Sequence, residues 1–267
     1  MSSHGACIVH LQRNVVTQFK SEHLSHLTSV AGRAYRFSDF VKAFHEIKSI
    51  DVRCAEYLER VGFEHWTRSY FIGERYNVMT SNISESLNKV MTMVREYPIM
   101  SILETIRTTL VSWFALRRES ANTENDIVNP KIQEMLIESF HKSSGYFVMK
   151  IGNGLYEVRD DVDTAFAVNL WEETCGCREF QLLHIPCCHA IAAAIKEGVR
   201  VDSLVDIHYS TEYRKLAYSG VIMPVPDTDH LAPKPEDVGG GNLAPPSVRR
   251  PPGRPRKLRI ILVVNLR

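Results

Sequence analysis

No uninterrupted run of about 20 apolar residues, the length a membrane helix needs, occurs in the 267-residue sequence. No membrane partner is therefore expected. The amino end, MSSHGACIVH, lacks the basic start and apolar stretch of a secretory signal. Net charge is nearly absent as well, with 32 basic residues against 31 acidic and a formal +1. Apolar residues at 44% and charged ones at 24% exclude an all-disordered chain, a collagen and a coiled-coil rod. No repeat at solenoid periods is present. What is left is an ordinary globular protein, long enough for one large domain or two modest ones.

The charge that is present is unevenly placed. Seven basic residues and no acid lie between Arg249 and Arg267, leaving 25 basic against 31 acidic before them, a net −6. A mildly acidic body with a basic tail is a layout associated with nucleic-acid binding. The six cysteines are Cys7, Cys54, Cys175, Cys177, Cys187 and Cys188. Four fall within 14 residues, and with no secretory signal that clustering favours a metal over disulfides.

Periodicity predicts helices over residues 1–120. Phe37, Phe40, Val41, Phe44 and Ile47 fall at amphipathic-helix spacing, and Val52, Ala55, Leu58 and Val61 repeat it up to Gly62. After Pro98, a favourable first-turn residue, Ile99, Ile102, Leu103, Ile106, Leu110, Trp113 and Phe114 make one stripe, expected to be core. The polar segment 119–130 reads as a linker, and 121–144 as linker and helix. GYFVMK and LYEVRD, separated by Gly152-Asn153-Gly154, predict a strand pair, with a third strand within 163–172. The helix HAIAAAIKE ends at Gly198. Residues 145–210 are expected to form one small domain, 211–267 a Pro/Gly-rich tail with little fixed structure from Ile222 onward.

Cys175-Gly-Cys177, nine residues, then Cys187-Cys188-His189 is the strongest signal. Three thiolates and one imidazole satisfy tetrahedral zinc, and a site filled by four protein donors has no place for water, which makes the ion structural. Buried thiols or a redox pair are the alternative; the four-donor set and the helix start after Pro186 favour zinc. The spacing C-x-C-x9-C-x-H is similar to the SWIM zinc finger, and TCGCREFQLLHIPCCHAIAAAI resembles the SWIM fingers of plant Mutator-like transposases. The resemblance implies Cys175, Cys177, Cys187 and His189 as ligands of one structural Zn2+. Cys188 takes the variable position and His184 is a weaker rival for the imidazole.

HGACIVHLQRN, with Cys7 and His10, and two segments across 65–118 are similar to the same family, so the resemblance spans residues 4 to about 215. It implies descent from a ribonuclease-H-like DNA-cutting domain, whose two aspartates and later glutamate hold two divalent ions. Glu85 stands where that glutamate would be. Both aspartates precede the C-x-x-H segment in the family, so the chain looks amino-terminally truncated and is expected not to be a transposase by itself. Asp39 and Asp51 lie on helical stretches and are poor substitutes. Glu85 also fits a capping box with Asn82, on a helix expected to bury Ile83, Leu87, Val90 and Val94 with Glu85 opposite; capping or a solvated face is the favoured reading. Cys7 and His10, Cys54 and Trp66 are expected to be packing or surface residues rather than ligands.

RRPPGRPRK, residues 249–257, resembles an AT-hook, with Pro252 where an arginine usually precedes the glycine. That likeness implies A·T-rich minor-groove contact by Arg250, Gly253, Arg254, Pro255, Arg256 and Lys257, with nuclear import or a basic linker as the alternatives. The expected architecture is thus mainly α with a small α+β zinc-finger domain, the remnant of a transposase core followed by the finger and a disordered basic tail. The expected function is a catalytically inactive, nuclear, zinc-binding protein that associates with DNA, or with proteins through the finger. The residual alternative is metal-dependent nuclease activity at Glu85.

Overall fold

The computed structural model describes residues 5–224 except 74, 77 and 95–98, and only the backbone of 82–84 and 93. The tail segment 249–257, from Arg250 to Lys257, lies outside the described residues, as does Pro98. The elements below all belong to one unit spanning residues 1–220.

The amino-terminal part is helical, as its periodicity requires. It comprises α1 (Ile8–Phe19), α2 (Glu22–Arg33), α3 (Phe37–Ile50), α4 (Val52–Val61) and the single turn α5 (Phe63–Trp66). Ser21 caps α2 by accepting the Leu24 N–H at 3.2 Å, and the Asp51 carboxylate caps α4 by accepting from Arg53 and Cys54. The buried stripes are Ile8, Leu11 and Val15 on α1, Leu24, Leu27 and Ala31 on α2, and Phe40, Phe44 and Ile47 on α3. Phe40 stacks on Phe44 with ring centres 5.5 Å apart, and Phe63 meets both edge-on. Trp66 is fully buried, its indole N–H donating to the Leu58 carbonyl at 3.2 Å. Cys54 is likewise buried, and burial pushes its thiol up to about 11. Phe37 and Val52, expected in the core, are instead about half exposed, because each stands at the first position of its helix.

Three further helices follow: α6 (Asn82–Val94), α7 (Ile99–Thr123) and α8 (Pro130–Ser143). Helix α7 runs into the polar stretch read as linker, which shortens the connection to residues 124–129. Its stripe is not core: Ile99 and Leu103 are exposed and the remainder half-buried, with the main packing of α7 being on α6 and α11 (Thr211–Ala217). By length and composition α7 is apolar enough to cross a membrane. No unbroken apolar run marked it, because Glu104 and Arg107 interrupt the sequence and pair on the surface. On α6, Val94 is buried but Leu87 is 38% exposed.

The carboxyl-terminal part is a four-stranded antiparallel sheet, β1 (Phe147–Gly152), β2 (Leu155–Arg159), β3 (Ala165–Asn169) and β4 (Thr174–Cys175), in sequential order. The two-residue β4 is one strand more than periodicity could reveal. Helices α9 (Glu179–Leu183) and α10 (Cys188–Glu197) follow. Strand alternation turns Tyr156, Val158, Phe166 and Val168 inward, where they share a core with Ala190, Ala193 and Ala194 of α10. Ile191 of α10 faces Ile132 and Leu136 of α8, so an alanine-rich helix is enclosed between a sheet and a second helix. Helix α11 begins at Thr211, inside the stretch read as tail. It is tied back by a Val128–Ser210 bridge and by Arg118, whose guanidinium donates to the Tyr218 and Gly220 carbonyls.

The helical part reaches the finger through Tyr35, Arg36 and Arg68. The Arg68 guanidinium lies 4.4 Å from the Tyr35 ring centre, and Arg36 lies over Phe166 at 5.8 Å. Burial, with the nearby Glu179 carboxylate, pushes the Tyr35 phenol up.

Two substitutions test this packing. Trp66→Ala should cost about 3–5 kcal/mol in a chemical denaturation curve, the range for an emptied aromatic core position. Gly154, at φ +73°, has the Trp171 ring 1.8 Å from where a Cβ would sit. Gly154→Ala should therefore displace Trp171 and lower the thermal midpoint, whereas Gly198→Ala, equally left-handed but with open space around it, should lower it less.

Candidate metal centre

The β3–β4 hairpin and the start of α10 build the site from opposite sides. Asn169 closes the hairpin by accepting the Trp171 and Glu172 N–H groups, which returns the chain to pair Val168 with Cys175. Cys175 is then clamped by Gln181, whose side-chain oxygen accepts the Cys175 N–H and whose amide donates to the Cys175 carbonyl, both at 3.1 Å. A tight turn, with Arg178 N–H donating to the Cys175 carbonyl at 2.8 Å, brings Cys177 round beside it. Across the site, Pro186 leads into Cys187 at the N-cap of α10, and His189 stands in the first turn. His189 is held between two rings, Phe166 at 3.9 Å and Tyr146 at 5.4 Å between centres.

The donor atoms of Cys175, Cys177, Cys187 and His189 all lie within 4.8 Å of one another, with His189 Nδ1 3.8 Å from Cys187 Sγ. Donors around a tetrahedral zinc, at bonds of about 2.0–2.3 Å, stand roughly 3.5–3.8 Å apart, so the cluster is at coordination scale before any rearrangement. Cys175, Cys187 and His189 are buried, at 3%, 1% and 7% exposure. A buried set of three thiols and an imidazole fits one structural zinc ion and leaves no protein-free position for water.

The electrostatics fit the same ion. Hydrogen bonds from Cys175 and Cys187 hold the Cys177 thiol far below its ordinary value. The Cys175 thiol is pushed up by its hydrogen bond to Cys177 and by burial, against an opposing hydrogen bond with Cys187, and the Cys187 thiol is pushed up by both thiol neighbours and by burial. Burial opposes the His189 imidazolium, but hydrogen bonds to the surrounding thiols carry its pKa up to about 12. Thiols and imidazole ligate a metal only in their deprotonated forms, so metal binding here displaces protons.

The rivals fall outside the cluster. His184 ends α9 in a left-handed conformation, its ring 5.8 Å from that of Tyr76. Cys188 is not among the four mutually converging donors: its sulfur accepts from the Tyr146 hydroxyl at 3.8 Å and touches the set only through His189 Nδ1, also at 3.8 Å. Gln181, Tyr146 and Phe166 are the supporting residues that spacing could not single out, because their roles depend on which turn faces which strand.

A second group converges elsewhere. Cys7, His10 and Glu85 bring their donor atoms within 4.8 Å of one another. Helix α6 begins at Asn82, and Ser81 just before it donates its hydroxyl to the Glu85 carboxylate at 2.7 Å. Glu85 is half exposed but turned toward α1, not away from it: its Oε1 is 3.4 Å from His10 Nε2. Asp39 pairs with Arg36, and Asp51 serves as the α4 cap.

Three outcomes follow for the four-donor cluster. Elemental analysis should show a zinc equivalent that is lost in Cys187→Ser and kept in Cys188→Ser and His184→Ala. Calorimetry in buffers of different ionisation enthalpy should show protons released as zinc binds at neutral pH, because thiols and imidazole ligate only when deprotonated. Because the loaded form carries fewer protons, apparent affinity should fall as pH falls.

The family model of the SWIM zinc finger matches residues 166–198. Those bounds run from Phe166, which stacks on His189, to Gly198, the left-handed residue ending α10. Comparison with curated proteins and with solved structures gives no match. The segment is a SWIM zinc finger whose Cys175, Cys177, Cys187 and His189 cluster fits one structural zinc.

Proposed function

We propose that the chain is a zinc-stabilised interaction module without catalytic activity of its own, and that the finger's sheet takes a protein partner. The carrying observation is the outer face of the sheet. Phe147 and Met149 of β1 and Leu155 of β2 point away from α10, with Ile151 and Trp171 beside them, and all are 43–62% exposed. Strand β1 is also an edge, free to pair on one side. An apolar patch on a fold already closed by its metal favours a protein surface over phosphate. The cations of residues 145–210 are Lys150, Arg159, Arg178, Lys196 and Arg200, of which Lys150 pairs with Glu197, Arg159 with Glu157 and Asp163, and Arg200 with Asp202.

A second reading, DNA association in the nucleus, is favoured by the sequence RRPPGRPRK at 249–257. Descent from a Mutator-like transposase is part of both readings and rests on the quoted segments across residues 4–215. Glu85 is the one carboxylate of the family's triad that the resemblance supplies, and one carboxylate cannot organise two hard divalent ions.

Nuclease-treated nuclear extract separates these readings. Cross-linking to a defined partner should be lost in the double variant Phe147→Lys, Met149→Lys with zinc content unchanged. Deleting residues 249–259 should leave that cross-link intact. If instead the deletion alone abolishes binding, to duplex DNA and with a steep salt dependence, DNA association replaces the protein-docking reading.

A further inference from the structure

Two helix starts, far apart in sequence, face each other in the helical part. Cys7 is the N-cap of α1 and His10 lies one turn on, while Glu85 sits in the first turn of α6. Backbone hydrogen bonds fix the approach: Ile8 N–H donates to the Met79 carbonyl at 2.9 Å and Ala6 N–H to the His65 carbonyl at 2.6 Å. The Ser81 N–H then donates to Cys7 Sγ at 3.4 Å. These bonds register the segment before α6 against the start of α1.

The His10 ring is bracketed by two oxygens: Ser81 Oγ, which donates to Glu85 at 2.7 Å, lies 3.4 Å from His10 Nδ1, and Glu85 Oε1 lies 3.4 Å from Nε2. With Nδ1 donating to Ser81, the neutral ring would present its Nε2 lone pair beside a carboxylate oxygen and the Cys7 sulfur, a set that a cation, metal or proton, would hold together. Their separation suits a tetrahedral ion, whose nitrogen and oxygen donors stand about 3.3 Å apart.

We propose that Cys7, His10 and Glu85 form a second metal site, which binds one zinc-class divalent ion and leaves a coordination position open. The sulfur, nitrogen and oxygen set selects zinc or cobalt over magnesium or calcium, which favour all-oxygen sites. It also differs from the all-carboxylate triad of the transposase resemblance. Ser81 would act as the outer partner that fixes the imidazole tautomer. A cavity of about 330 Å³, lined by Gly5, Cys7, Phe71, Arg75, Met79 and Ser81, touches the cluster at Cys7 and Ser81, with neither His10 nor Glu85 in its lining. Unlike the finger's closed site, this one is built to exchange a ligand.

The test is cobalt titration of the tag-free full chain, reduced and with the finger already loaded with zinc. A second equivalent should bind with a sulfur-to-cobalt charge-transfer band of single-thiolate intensity, while elemental analysis shows the first zinc retained. Cys7→Ser should abolish the band. Glu85→Gln, a change at a half-exposed position that spares the fold, should weaken cobalt binding at least about tenfold. Binding that stops at one metal per chain would overturn the site and leave a proton as the cation between His10 and Glu85. So would a second equivalent unaffected by both variants, or one displaced by excess magnesium.

Discussion

The carboxyl-terminal half of this molecule depends on four donor atoms being brought together where a hairpin and a helix start meet. The sheet is small and its second face is not covered by any described element, so its core is single-sided and built largely from the alanines of α10. Such a core is modest in apolar area. Zinc across Cys175, Cys177, Cys187 and His189 ties the loop end of the sheet to the first turn of α10, and that joint fixes how the helix lies across Tyr156, Val158 and Val168. Binding free energy there is folding free energy.

The helical part is held differently. Its centre is aromatic and dry, with Phe40, Phe44, Phe63 and Trp66 in mutual contact, and it needs no metal to explain its packing. The two parts meet through polar residues with apolar bodies, Tyr35, Arg36 and Arg68 against Glu179 and Phe166. Glu179 lies two residues from Cys177, so the contact joining the parts is also the outer support of the finger. Loss of the ion should therefore be felt at that contact before it reaches the aromatic centre.

Taken together, the closed site and the open cluster divide the chemistry. The finger offers four protein donors to one ion and exposes an apolar sheet face. The α1–α6 cluster brings three donors together beside a cavity. The proposed roles differ accordingly, a stabilised surface in one and an exchangeable ligand in the other.

Local sequence determined a good deal. Helix period, capping residues and the turn at Gly152-Asn153-Gly154 are set by neighbours a few residues apart, and so were legible. The four finger ligands lie within 15 residues, and their type and spacing alone identified the set. Burial was not legible for Phe37, Val52 or the α7 stripe, because an apolar face becomes core only if another element arrives to cover it. Strand β4 is two residues long, too short for any periodicity, and exists because Cys175 pairs with Val168. The convergence of Cys7 and His10 with Glu85 is the clearest case. Their separation of 75 residues carries no local signal, and only the hydrogen bonds docking Met79 and Ser81 onto the start of α1 bring the three together.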